Sequence, residues 1–116
     1  MKENLIELDT VEELDKAIAQ SHERPVIVFK HSTTCPISSR AFQEFESFLE
    51  VASPAAAYSL ITIQRSRDVS NEAAARLSIA HESPQAILIR NGRPVWSASH
   101  FDITEATLTR ALTEIA

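Results

Sequence analysis

The sequence predicts an α/β domain, a mixed sheet of about five strands with helices on both faces. Short apolar runs rich in β-branched residues alternate with segments whose apolar residues recur at spacings of three and four, giving the order β-α-β-α-β-α-β-β-α. The last two strand candidates flank Asn91-Gly92, a strong hairpin signal that makes them antiparallel to each other. The alternating units before them favour parallel strands joined by right-handed crossovers. A chain of 116 residues suits one compact domain, residues 1–116, with one core.

Leu5-Ile6-Glu7-Leu8 reads as a short first strand. Thr10-Val11-Glu12-Glu13 then has the form of a capping box, and Val11, Leu14 and Ile18 line one face of the helix it opens. That helix ends near Ser21, before Pro25. Val26 to Phe29 is a continuous apolar run, as expected of a strand buried on both faces. Ser38, Phe42, Phe45 and Leu49 make the stripe of the next helix, which Ser53-Pro54 closes. Tyr58 to Ile63 is a strand, and Ser70 to Leu77 a short helix with Ala73, Ala74 and Leu77 apolar. Ala86–Ile89 and Pro94–Trp96 form the hairpin, with Trp96 alternating against Val95 and packing on the core. Asp102 is the expected cap of a last helix whose inner face is Leu108, Ala111, Leu112 and Ile115.

Bulk properties narrow the function. The formal net charge of −5 argues against nucleic acid as the main partner, since phosphate binding needs a basic surface. A single cysteine excludes an internal disulfide framework. From Met1-Lys2-Glu3-Asn4 to Arg24 the chain stays charged, without the apolar stretch of a signal peptide. No apolar run approaches the ~18 residues that suggest a membrane span. The expectation is a cytoplasmic protein with no membrane partner, where reducing conditions keep a thiol usable.

That thiol is Cys35, inside His31-Ser32-Thr33-Thr34-Cys35-Pro36-Ile37-Ser38. A strand ends just before it and a helix begins just after it. Helix N-termini carry unsatisfied N–H groups and partial positive charge, which favour thiolate over thiol. Thiolate is the nucleophilic form. Pro36 suits the first helical position, where its missing N–H costs nothing. Ligands of open α/β sheets gather at the carboxyl ends of strands, where Cys35 falls.

A strand, then Cys-Pro at a helix start, then a later Ser-Pro before a terminal hairpin resembles the thioredoxin superfamily over nearly the whole chain. The resemblance implies a thioredoxin-like fold. It also implies that Pro84, in His81-Glu82-Ser83-Pro84-Gln85, is cis and faces the active cysteine. More narrowly, Phe29 to Ser38, together with His81–Gln85 and Trp96-Ser97-Ala98-Ser99-His100, is similar to the monothiol bacilliredoxin family and its Thr-Cys-Pro-Ile-Ser active site. That family is associated with bacillithiol, a small thiol carrying glucosamine and malate.

The resemblance implies a monothiol thiol–disulfide oxidoreductase. Dithiol relatives resolve their mixed disulfide with a second cysteine, and here that position is Ser38. Cys35 would take the small thiol from an S-thiolated protein, and a second small thiol would then release it as a symmetric disulfide. The expected partners are S-thiolated proteins and bacillithiol or a related small thiol, a co-substrate rather than a resident cofactor. Thr33, Thr34 and Ser38 are candidates to hydrogen-bond the thiolate, with Pro36 and Ile37 completing the motif. Pro84 would keep the approach to Cys35 open and leave the Ser83 backbone free to pair with an extended substrate. Lys30 and His31 would supply positive potential or an anion contact near the sulfur.

Other residues have plainer readings. His81 and His100 are too scattered for a zinc site, and no metal is expected. Arg65 and Arg67 read as surface residues. The competing function is a non-catalytic thioredoxin-like module that binds proteins through the groove between Cys35 and Pro84. A single-cysteine reductase of an oxyanion such as arsenate would need an arginine at the thiolate, and Arg40 lies five residues on. A peroxidase lacks the expected threonine and arginine positions.

Overall fold

The computed structural model describes residues 4–115. Met1–Glu3, the start of the charged N-terminal segment, lie outside the described residues. The sheet holds β1 (Leu5–Glu7), β2 (Val26–His31), β3 (Ala57–Thr62), β4 (Gln85–Arg90) and β5 (Arg93–Ser99), in spatial order β1-β3-β2-β4-β5. The first three run parallel, and β4 is antiparallel to both its neighbours.

The side-chain period of two divides the interior. Ile27 and Phe29 join Leu60, Leu88, Phe45, Phe48 and Leu108 in the core under α2 (Pro36–Val51) and α4 (Glu105–Glu114). Val26 and Val28 point the other way, to Ile61, Ile87, Leu14, Val69 and Leu77 under α1 (Val11–Gln20) and α3 (Arg67–Leu77). The central strands β2 and β4 are thus covered on both sides, which is why Val26–Phe29 and Ala86–Ile89 are continuous apolar runs.

Local signals act as their chemistry dictates. The Thr10 hydroxyl accepts the Glu13 N–H at 3.1 Å, and the Glu13 carboxylate accepts the Thr10 N–H at 3.1 Å, closing the capping box. Asn91 (φ 56°) and Gly92 (φ 76°) both take the left-handed conformation that a type I′ hairpin turn requires. Trp96 packs against the α2–α4 core while Val95 faces outward, 41% exposed.

Several boundaries move. α3 starts at Arg67 rather than Ser70, because its first turn, Arg67-Asp68-Val69, is mostly polar and shows no apolar period. β2, β4 and β5 run past their apolar centres into Lys30-His31, Gln85 and Ser97–Ser99, since ladder hydrogen bonds do not depend on side-chain polarity. Asp102 is not the cap of the last helix. It ends a 3₁₀ turn, His100–Asp102, and Thr104 caps α4 by accepting the Thr107 N–H at 3.1 Å. Ile115 lies beyond the end of α4 and is 44% exposed, so it leaves the predicted inner face.

This topology assembles one end of the sheet. β2 and β3 both deliver their carboxyl ends there. β4 runs the opposite way, and its first residue, Gln85, pairs with Lys30 near the end of β2. The Cys35 loop, the segment after β3 and the segment before β4 therefore meet at one edge.

Candidate active site

Cys35 is the N-cap of α2, in extended conformation (φ −106°, ψ 120°), with Pro36 as the first helical residue. Its carbonyl accepts the Ser39 N–H at 3.1 Å, the first bond of the helix. The amides of Ile37 and Ser38 have no intrahelical acceptor and lie in the turn that follows the sulfur. The thiol is free and partly exposed, and makes no capping hydrogen bond.

Ser38 does something other than touch the sulfur. It is fully buried, and its Oγ accepts the Ser32 N–H at 2.9 Å. The same hydroxyl bonds His31 Nδ1 at 2.8 Å. The expected thiolate contact is replaced by a brace: the helix position three residues after Cys35 ties the loop three residues before it. His31 is held in turn by its ring, stacked on Phe42 at 4.8 Å between centroids.

Thr34 is likewise committed to the loop, its hydroxyl lying 3.4 Å from Ser32 Oγ. Gln64, just past β3, clips all three loop residues. Its Oε1 accepts the Thr33 N–H at 3.0 Å, and its Nε2 donates to Ser32 Oγ at 2.8 Å and Thr34 Oγ1 at 3.2 Å. Sequence reasoning missed Gln64. The one signal available was its place at the carboxyl end of a strand parallel and adjacent to β2.

Lys30 and His31, the expected anion contacts, have protein partners: His31 bonds Ser38, and Lys30 lies in the interior. Lys30 shares the parity of Val26 and Val28, so it turns away from α2 and is fully buried. Its Nζ meets His81 Nδ1 at 3.2 Å, and Ser70 Oγ lies 3.4 Å from the same nitrogen. Burial pushes the Lys30 amine down to about 8. His31 is also lowered by burial, against the raising pull of Glu7 and Glu46, so it is neutral at pH 7 and supplies no positive potential. His81 is lowered by burial first and by Lys30 and Arg67 next, with Glu82 opposing.

The Ser83–Pro84 peptide is cis. The Pro84 carbonyl accepts the His100 N–H at 3.1 Å, joining this segment to the 3₁₀ turn. Ser83 Oγ and Gln85 Oε1 are buried without a partner. Of the scattered cations, Arg65 pairs with Asp9 at 3.1 Å, and His100 Nε2 lies 3.9 Å from Glu82. Among the described residues no three His, Cys, Asp or Glu side chains converge as metal ligands, and no helix is long and apolar enough to cross a membrane.

A free, partly exposed thiol thus lies between a buried strand and a helix, with the buried Ser38 three residues on. Residues 6–108 match the family model described as Monothiol bacilliredoxin BrxC. The chain belongs to the monothiol bacilliredoxin family. A solved structure provisionally described as an oxidoreductase with a thioredoxin fold is 34% identical, with a TM-score of 0.82 and 92% of each chain covered. Thioredoxin of Fasciola hepatica (19% identical, TM-score 0.75, 96% of this chain and 99% of that one) shares the fold. So does the reduced thioredoxin pre-protein of Schistosoma mansoni (20%, 0.74, 97% and 98%). The fold is thioredoxin-like. As a bacilliredoxin with one cysteine, the chain is a monothiol thiol–disulfide oxidoreductase.

Proposed function

We propose that the chain removes bacillithiol, or a similar low-molecular-weight thiol, from S-thiolated proteins, with Cys35 as the nucleophile. The observation that carries this reading is a partly exposed, unbonded thiol at a helix N-cap, beside a resolving position filled by a buried serine. The Cys35 thiolate attacks the small-thiol sulfur of the mixed disulfide. A Cys35–small-thiol disulfide forms, the substrate–sulfur bond breaks, and the substrate leaves as thiolate. Ser38 is buried and oxygen cannot form a disulfide, so release needs a second small-thiol thiolate. It attacks the adduct's outer sulfur, departs as the symmetric disulfide and returns Cys35 to thiolate. The small thiol is the reductant.

The rest of the motif serves this exchange by shape. Pro36 starts the helix without a surplus N–H, and Ile37 follows in the turn that faces the sulfur. Thr33 and Thr34 sit in the loop that Gln64 holds. Ser83 and Pro84 form the far wall of the groove, where the Ser83 backbone pairs with an extended substrate segment.

Mixing the purified protein with an S-bacillithiolated protein and following intact masses tests the reading. Transfer of the adduct to this chain, lost in Cys35→Ala, is the expected result. Stable binding without transfer, retained in Cys35→Ala, would instead support a non-catalytic binding module.

A further inference from the structure

Among the described residues Lys30 is the only fully buried charged side chain, and no carboxylate pairs with it. Burying an amine without an opposite charge is costly, and an apolar residue would suit the face it shares with Val26 and Val28 better. Its Nζ meets His81 Nδ1 at 3.2 Å, with Ser70 Oγ 3.4 Å from the same nitrogen. His81 is itself exposed, so one imidazole joins the interior of the sheet to the surface.

His81 stands in the connection between α3 and β4, residues 78–84, which leaves the helix at a left-handed Ser78 (φ 52°) and contains the cis Ser83–Pro84 bond. This stretch has no helix or strand of its own, so its place depends on single contacts. Gln85, opposite Lys30 in the ladder, donates from Nε2 to the Ala80 carbonyl at 3.1 Å, and the Pro84 carbonyl accepts the His100 N–H at 3.1 Å. Between those anchors Ser83 Oγ is buried without a partner among the described residues, and Glu82 reaches His100 only at 3.9 Å. The contacts of His81 with Lys30 and Ser70 supply the tie to the sheet and to α3. We propose that Lys30 is a positioning residue for the exchange reaction: from inside the sheet it holds His81, and through His81 the Ser83–Pro84 wall of the groove.

The tie depends on protons. An ammonium can only donate, so His81 Nδ1 must accept, which requires a neutral ring with its hydrogen on Nε2. The surroundings favour that state. Burial first, then Lys30 from β2 and Arg67 from α3, oppose a positive charge on His81, and Glu82 alone among the facing charges favours it. Ser70 from α3 and Gln85 from β4 are neutral. Once His81 gains a proton, two cationic donors face each other and the contact is lost. Above about 8 Lys30 becomes a neutral amine, which still donates to Nδ1, so alkali weakens the tie without breaking it.

This inference rests on the exchange reading above, and its test separates the two. The reduced protein is reacted with two probes that carry the same small thiol: the symmetric disulfide of 2-mercaptoethanol, and a blocked, uncharged peptide whose one cysteine is joined to 2-mercaptoethanol. Cys35 thiolate attacks one sulfur of either probe, a new S–S bond forms, the old one breaks and a thiolate leaves. Loss of free Cys35 is followed by intact mass. The ratio of the peptide rate to the small-disulfide rate cancels the thiolate fraction of Cys35 and reports what the groove adds. Lys30→Met and His81→Ala should each lower the ratio about tenfold at pH 7, as loss of a hydrogen bond to a charged group would. His81 is exposed, so its variants leave the core packed. His81→Asn keeps an acceptor near the place of Nδ1 and should restore most of the ratio. The wild-type ratio should fall as pH drops below 6.5, while that of His81→Asn, which cannot gain a proton, stays level. A ratio indifferent to both Lys30→Met and His81→Ala, or acid profiles that match in wild type and His81→Asn, overturns the positioning role alone. Labelling by neither probe overturns both readings.

Discussion

Ser38 shows how one substitution type reshapes a redox site. A cysteine there would be a second sulfur, and the serine is instead a buried brace between His31 and the Ser32 amide. Ser38→Ala would leave the Ser32 N–H without its acceptor and His31 without its partner. A loss of about 1–3 kcal/mol in urea unfolding is expected, the cost of an unsatisfied buried group. A change within a few tenths would deny the brace. The place of Cys35 between a strand end and a helix start, with Pro36 as the first helical residue, was legible in the sequence, because these residues follow one another along the chain. The burial of Lys30 was not legible in the same way, because a lysine that follows an apolar run gives no direct local sign of it. Its parity with Val26 and Val28 was the only hint of burial, and its partner His81 is 51 residues away.

At the scale of elements, the loop between β2 and α2 is held from β3 rather than by its own sequence. Gln64→Ala removes hydrogen bonds to Ser32, Thr33 and Thr34 together. The Thr33 amide should then lose protection in hydrogen exchange, while global stability falls by only about 1 kcal/mol, since the contacts are exposed. Adduct transfer to Cys35 should slow, because the loop no longer fixes the sulfur. Unchanged Thr33 protection would contradict this account. Thr10→Ala is the simpler case: loss of the α1 cap should cost about 1 kcal/mol in the same unfolding assay. Element order, the hairpin and the α1 cap were readable because their signals are local. The Thr104 cap was missed because the 3₁₀ turn before it depends on a left-handed His100, which sequence pattern does not mark.

For the whole molecule, the buried Lys30 gives folding a pH signature. Its amine titrates near 8 in the folded chain and at 10.5 when exposed. Between these values the unfolded chain binds more protons, so stability rises with pH. That gain is complete above 10.5 and is lost as pH falls through about 8. Lys30→Met lacks this term. Relative to the variant, the wild type should therefore gain of order 1–3 kcal/mol between pH 7 and 10.5 in urea unfolding. Tyr58, raised to about 12 by burial, titrates identically in both proteins and cancels in the difference. Equal pH slopes would contradict a buried, deprotonation-prone lysine. The division into two cores followed from the continuous apolar strands, whereas the buried polar cluster of Lys30, His81 and Ser70 arises only when β2, α3 and the segment before β4 meet in space.

The central claim is that Cys35 accepts a small thiol and cannot release it alone. Rapid-quench mixing of the reduced protein with an excess of S-bacillithiolated substrate, before any free small thiol is added, tests this most directly. The account predicts release of one equivalent of substrate thiol per Cys35 and then a halt, with turnover resuming only when free bacillithiol is supplied. Continued turnover without added thiol, or substrate release with no mass added to Cys35, would contradict it.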